Sequence, residues 1–283
     1  MVRRSPLFAV LLATIIGCGE KKPSASDSSG TYTIKIREKM VGEKYEVTRT
    51  LTESKWEFTG NGKAKEPSAP SVSKVTTKAA YLEEVEAVDD GAVTKGKRKY
   101  SIAEGDDFGK PKSLSFVGKS VAFEAKGDKF KYTLEDGNAV PQGLDSFALD
   151  ADTDRNNLKN LSGLLPEAAV KVGEAWEVPA QKLAVILGPQ AKDAGFKASG
   201  KLEKAYTKDG KQFGVVTLKL EGTLNEKGTK LAAELTYDGC IDGSVTESTR
   251  KSMETIKAPV GGPGDVAFPD LVNSTERTIK PAK

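Results

Sequence analysis

Alternation of apolar and polar residues with a period of two runs through most of the chain from Thr31 onward. Tyr32, Ile34 and Ile36 alternate with Thr33, Lys35 and Arg37, and Tyr45 and Val47 alternate with Glu46 and Thr48. Trp56 and Phe58 bracket Glu57. The period returns at Leu114/Phe116, at Val121/Phe123, and at Phe130, Tyr132 and Leu134 against Lys131, Thr133 and Glu135. It recurs at Val216, Leu218 and Leu220, and at Leu231, Ala233, Leu235 and Tyr237. Successive strand side chains point to opposite faces, so this pattern predicts strands with one buried face and one solvated face. Asp90-Gly91, Gly127-Asp128, Asp136-Gly137 and Asp209-Gly210 fall between runs and read as tight hairpin turns. Residues 79–88 have helical propensity, but the turn after them favours a strand. The expected fold is mainly β: one large curved antiparallel sheet or open barrel with two short helices.

The helices are expected where the alternation breaks. Leu158, Leu161, Leu164 and Leu165 have helical spacing, with Asp152, Thr153 or Asp154 as a cap and Pro166 as a stop. Leu183, Ala184, Ile186 and Leu187 form the second, entered after Pro179 and ended by Gly188-Pro189. A faint similarity links Leu82-Glu83 with its Asp90-Gly91 turn to Leu202-Glu203 with its Asp209-Gly210 turn. Two β halves around a helical middle would produce it, and so would chance among hairpins. Residues 60–71 and 258–270 are Gly/Pro-rich loops, and residues 31–283 read as one domain. Val245 to Lys257 is different: Glu247, Thr249 and Lys251 share one face, and Ser248, Arg250 and Glu254 share the other. A strand polar on both faces cannot belong to a dry core. It is either an exposed edge or the lining of a wet opening.

Other rules govern the first thirty residues. Arg3 and Arg4 precede the apolar run from Leu7 to Ile16, the form of a secretory signal. The run is shorter than the roughly 20 residues a membrane-spanning helix needs. It ends at Ile15-Ile16-Gly17-Cys18, which resembles the lipobox of bacterial lipoproteins. The resemblance implies a signal peptide at 1–17, cleavage before Cys18, and lipid on the Cys18 thiol, with acylation of the new amine. Two or three acyl chains hold a protein at a membrane far more durably than one. Gly19 is not an aspartate, which in that family favours passage to the outer membrane. The expected location is the cell envelope, lipid-anchored at the outer membrane and facing the periplasm. Residues 19–30 are small and polar, a flexible tether behind the anchor.

Charge and composition then exclude chemistry more than they suggest it. The chain has 43 basic and 40 acidic residues, and removing Arg3 and Arg4 leaves it almost neutral. That argues against nucleic acid as a partner, which needs a basic stripe. The densest basic cluster, Lys95, Lys97, Arg98 and Lys99, is flanked by Asp89, Asp90, Asp106 and Asp107 and reads as a solvated strand face. Lys-rich faces of this kind also argue against a transmembrane barrel. With Cys18 lipidated, Cys240 has no disulfide partner and reads as a buried apolar residue. No histidine is present, which removes every His-dependent triad and the commonest metal ligand. Asp238 and Asp242 beside Cys240 would disfavour a thiolate, so no catalytic cysteine is expected. Asp150, Asp152 and Asp154 lack the Gly and Glu of a calcium loop, with Arg155 and Leu161 in those places, and read as the acidic start of a helix.

A last stretch, Leu164-Leu165-Pro166 followed by Val170 to Val178, resembles a phrase recurring in uncharacterised β-rich secreted bacterial proteins. Physically, Gly173 supplies a turn, Trp176 anchors in the core, and Pro179 ends the strand. The expectation is a non-enzymatic binding or carrier domain, for an apolar ligand, without cofactor, metal or catalytic residue. A structural or assembly module for an envelope protein is the alternative, and a carboxylate-dependent hydrolase is the least favoured one.

Overall fold

A computed structural model describes residues 30–57, 71–89, 91–107, 110–127, 129–152, 157–187, 195–223, 228–257 and 268–283. Its centre is a twelve-stranded antiparallel sheet, not closed into a barrel. The chain enters that sheet in the middle. After the short β1 (Thr31–Tyr32), β2 (Lys44–Glu57), β3 (Ser71–Asp89), β4 (Ala92–Asp107), β6 (Ser120–Lys126) and β7 (Lys129–Leu134) step outward to one edge, with β5 (Lys110–Ser113) paired beside β4. Three helices follow: α1 (Leu144–Asp152), α2 (Asn157–Leu164) and α3 (Ala180–Leu187). Between α2 and α3, β8 (Val170–Lys171) pairs with β1, and β9 (Ala175–Val178) forms the other edge of the large sheet. From there β10 (Lys197–Lys208), β11 (Lys211–Thr223), β12 (Lys230–Cys240), β13 (Ser248–Lys257) and β14 (Leu271–Pro281) return to the centre, where β14 pairs with β2.

Neighbouring strands are joined by hairpins where the sequence permits positive φ. Asp209 (φ 50°) and Gly210 (φ 75°) together make the two-residue turn between β10 and β11. Residues 79–88 are strand, inside β3. Asp90 and Asp128 lie outside the described residues, as do most of the two Gly/Pro-rich loops.

Two apolar cores share one face of the sheet, here the inner face. The first joins Tyr45, Val47, Tyr81, Tyr100 and Ile279 to Ala148 and Leu149 of α1. The second joins Leu202, Val216 and Tyr237 to Leu161 and Leu165 from the α2 end, with Ile34 inserted. Trp176 packs against this second core, its indole nitrogen donating to the Leu164 carbonyl oxygen at 2.9 Å, and Gly173 has φ 85°. Gly200 directly faces the indole, leaving no room for a Cβ.

Several expectations are corrected. Three helices are described, not two. α1 was hidden because only Leu144, Ala148 and Leu149 mark its buried side. Leu114 and Phe116 are buried, but in a turn rather than a strand. Residues 31–36 alternate as expected, yet they pair only at β8 and through Lys35, whose amide donates to the Ile241 carbonyl oxygen at 2.7 Å. Asp150 and Asp152 belong to the end of α1, not to a helix start, and Asp154 lies outside the described residues. Leu82 is exposed and Leu202 buried, so the faint internal similarity pairs opposite faces. A one-residue slip is enough to do that in a strand.

Candidate functional site

β13 is not an edge. It lies between β12 and β14, near the middle of the sheet, and its polarity on both faces therefore reaches the inner face. Across eight strands, directly opposed residues form one lateral row: Leu202, Val216, Tyr237, Arg250, Arg277, Arg49, Ala79 and Ala103. Its flanks belong to the two apolar cores, and its centre is three consecutive arginines. Arg49 and Arg277 are each only 5% exposed, and Arg250 is half-buried.

Toward the loop end of β13 the next row reads Leu235, Ser252, Thr275, Leu51 and Thr77. The row beyond brings Ala233, Glu254 and Asn273 together, with the Asn273 amide donating to Glu254 at 3.2 Å. Ser252, Glu254, Asn273, Thr275 and Leu51 are all half-buried. A polar lane thus runs between two covered cores, headed by guanidinium groups. From Arg250 to Glu254 is four residues, about 13 Å at strand rise.

Behind the row lies a second charged group. Glu83 is fully buried, opposite Arg98 on β4. Arg98 Nε donates to it at 2.9 Å, and Lys39 Nζ donates to its other oxygen. Arg98 also stands over the rings of Phe123 (4.5 Å) and Tyr81 (4.9 Å). Burial alone would raise the Glu83 carboxyl, but the charges of Lys39, Arg98 and Arg277 outweigh it and hold the group down at about 2. Burial dominates at Lys39 and lowers it to about 8. Glu83 pulls it up while Arg277 and Arg98 push it further down. Both partners of one ion pair are therefore lowered: at Lys39 burial outweighs the attraction of Glu83, with Arg277 and Arg98 adding to it, whereas at Glu83 the three cations outweigh burial.

Arg250 differs from its neighbours. Its guanidinium stands 5.6 Å from the centre of the Tyr237 ring. Its Nε is shielded and has no hydrogen-bond partner among the described residues. Burial draws its pKa below the usual arginine value. Arg49 donates to the Ala148 carbonyl oxygen at 3.2 Å, midway along α1, and lies 3.4 Å from the Thr77 hydroxyl.

Cys240 is fully buried, with its Sγ 3.0 Å from an Asp242 oxygen and 3.4 Å from the Ser244 hydroxyl. Lys95 and Lys97 are solvated as expected, but Arg98 of the same cluster points inward and is 3% exposed. No group of side chains suited to a metal ion occurs among the described residues. Cys18 lies outside them. A cleft of about 670 Å³ opens at the β9 end of the sheet, where Val178, Pro179 and Phe196 meet Lys197, Lys219 and Glu221. It lies on the flank, away from the lane.

Of these groups, sequence reasoning reached Arg250 and Glu254 and missed Arg49, Glu83, Arg98 and Arg277. A signal existed: each missed residue sits on the apolar parity of its strand, as in Val47-x-Arg49-x-Leu51 and Tyr81-x-Glu83-x-Val85. No protein-family model matches this chain, and no curated protein matches it.

Proposed function

We propose that this chain is a bacterial envelope lipoprotein, held at a membrane through lipid on Cys18, and that its sheet is a non-enzymatic binding module. The observation that carries the reading is the half-buried polar lane between two apolar cores. A sheet serving only as scaffold gains nothing by leaving its inner face open there, and placing arginines on it costs desolvation. The lane favours a polar ligand over the apolar one expected from sequence, because the half-buried inner face there carries Ser252, Thr275, Asn273 and Glu254. A facing outward into the periplasm fits a tether of residues 19–30 between anchor and sheet.

Two measurements test this. Cys18→Ser should leave uncut precursor and abolish incorporation of labelled fatty acid; continued maturation with acylation refutes the anchor. Native mass measurement of the protein extracted from its own envelope should show a bound small molecule, lost when Ser252→Trp fills the lane. A bound protein partner instead, unaffected by Ser252→Trp, would replace this reading with that of an assembly module.

A further inference from the structure

Tyr206 and Phe213 are directly opposed on β10 and β11. Val216 points into the second core, so by alternation Phe213 stands on the outer face of the sheet, away from both cores and from the lane. The two rings are near-parallel, inclined by 28° with centres 5.7 Å apart. Beside them the outer face of β12, β13 and β14 forms a pocket of about 230 Å³, edged by Asp238, Glu247, Thr249, Thr278 and Lys280. We propose that this pocket binds one neutral sugar ring, with Tyr206 as its apolar wall and Asp238 and Glu247 as acceptors for the sugar hydroxyls.

The rings are the first support. Elsewhere the outer faces of β13 and β14 carry residues such as Lys251 and Glu276, which pair with each other in solvent. Here a phenylalanine only 3% exposed lies on that same face. Lys208 Nζ stands 5.3 Å from its centre, and Lys204 Nζ stands 5.2 Å from the centre of Tyr206. Phe213 therefore underlies the site, and the half-buried Tyr206 presents aromatic carbon to the pocket. An aromatic ring with a polar tip suits a partner that is apolar on one side and wet on the other.

The polar groups are the second support, because they are fixed in place by one another. The Tyr206 hydroxyl donates to one Asp238 oxygen at 2.6 Å, and Lys208 Nζ donates to one Glu247 oxygen at 2.5 Å. The Thr249 and Thr278 hydroxyls share a bond of 3.1 Å. Burial and the Asp238 carboxylate push the Tyr206 phenol well above its usual pKa, so it stays a donor. A carboxylate has two oxygens, so Asp238 and Glu247 each keep one for a ligand, and one threonine hydroxyl keeps its hydrogen. Groups held this way lose little freedom on binding.

Charge and size select the class. Lys204, Lys208 and Lys280 are matched by Asp238, Glu247 and Glu46, the last directly opposite Lys280. Such a balance favours neither an anion nor a cation. An apolar ligand would strip water from carboxylates without replacing its hydrogen bonds. A sugar ring brings hydroxyls for the carboxylates and a C–H face for Tyr206. The volume falls below the roughly 300–1,000 Å³ of pockets that enclose a drug-sized ligand, so the fit is to one ring, free or within a longer glycan.

The test uses the full-length protein in a neutral polyether detergent, which carries no sugar of its own. Methyl glucoside, methyl galactoside, methyl mannoside and N-acetylglucosamine are titrated separately, reading saturation-transfer NMR. Saturable binding of at least one is expected, in the millimolar range of a single ring. Tyr206→Ala should abolish it, and Asp238→Asn should weaken it about tenfold through loss of a charged acceptor. If Tyr206→Ala fails to fold, Thr278→Arg, which fills the pocket from a half-buried position, takes its place with the same expectation. Ser252→Trp, on the opposite face, should leave sugar binding unchanged, so failure of the lane reading and failure of this one are separable. Loss of sugar binding in Ser252→Trp would assign the sugar to the lane and overturn the outer site. The proposal is also overturned if none of the four sugars binds saturably, if a folded pocket variant binds like wild type, or if inorganic phosphate or methylammonium displaces the sugar.

Discussion

Replacing Glu83 by glutamine preserves shape and one acceptor oxygen but removes the charge that Lys39, Arg98 and Arg277 share. Lys39 is 5% exposed and Arg98 3%, so neither can turn to solvent without unpacking its surroundings. The carboxyl is held at about 2 against 4.5 for an unperturbed glutamate. At 1.36 kcal/mol per unit, that difference corresponds to about 3 kcal/mol. Removing one partner of a buried pair typically costs about 3–5 kcal/mol, because the remaining charge is left buried. A loss of about 3–5 kcal/mol is therefore expected for Glu83→Gln near neutral pH. The pH dependence separates charge from packing. A carboxyl whose pKa is depressed on folding stabilises the fold fully above its unfolded pKa, here 4.5, and that contribution fades as pH falls toward 2. Urea denaturation of wild type and variant from pH 6 to pH 2 should show a gap widest above pH 5 that narrows progressively. A gap below 1 kcal/mol at pH 6, or one that stays constant down to pH 2, refutes the assignment of Glu83 as the charge that holds this group together.

Lys39 gives a pH dependence of the same sign in a higher window. Its folded pKa is about 8 against 10.5 unfolded, so stability should rise with pH between those values, and Lys39→Met should remove that rise in urea melts. Gly200→Ala drives a methyl into the Trp176 indole and should cost about 1–3 kcal/mol by thermal denaturation, whereas an unchanged melt would mean that β9 shifts freely. Native Cys240 should resist thiol reagents on the timescale of minutes and react fully in denaturant, and Cys240→Ala should lower stability by about 1 kcal/mol; rapid native labelling would contradict its burial.

The strands were legible because alternation reports a local fact, namely which residues face a covered side. The same signal made β13 conspicuous, and its polar faces led directly to Arg250 and Glu254. What could not be read was what lies beside Arg250. Arg277 and Arg49 become its neighbours only through the pairings of β13 with β14 and of β14 with β2. The second pairing joins strands from opposite ends of the chain, and no hairpin turn fixes its register. Arg98 was misread for a different reason: its flanking lysines are exposed, and a basic cluster was treated as one face when alternation divides it between two. α1 escaped because a nine-residue helix with three apolar contacts leaves little periodicity to find.

The pairing of the first long strand with the last has a consequence for how the molecule is made. β2 and β14 are separated by almost the whole chain, and the Ala282 amide donates to the Lys44 carbonyl oxygen at 2.9 Å. Each half of the sheet can be assembled from local hairpins, but the joint between them closes a loop of some two hundred residues. It cannot form until β14 has been synthesised and delivered, so in a chain emerging amino end first it is the final step. Until then β2 is an unpaired edge, and Arg49 is separated from Arg277 and Arg250. Loss of the last strand would therefore leave two folded half-sheets and no row of arginines. Conversely, a permuted chain with Lys283 linked to Gly30 and new ends between β7 and α1 would turn the β14–β2 joint into a local pairing across a loop of about sixteen residues, and the row would no longer wait for a long-range closure.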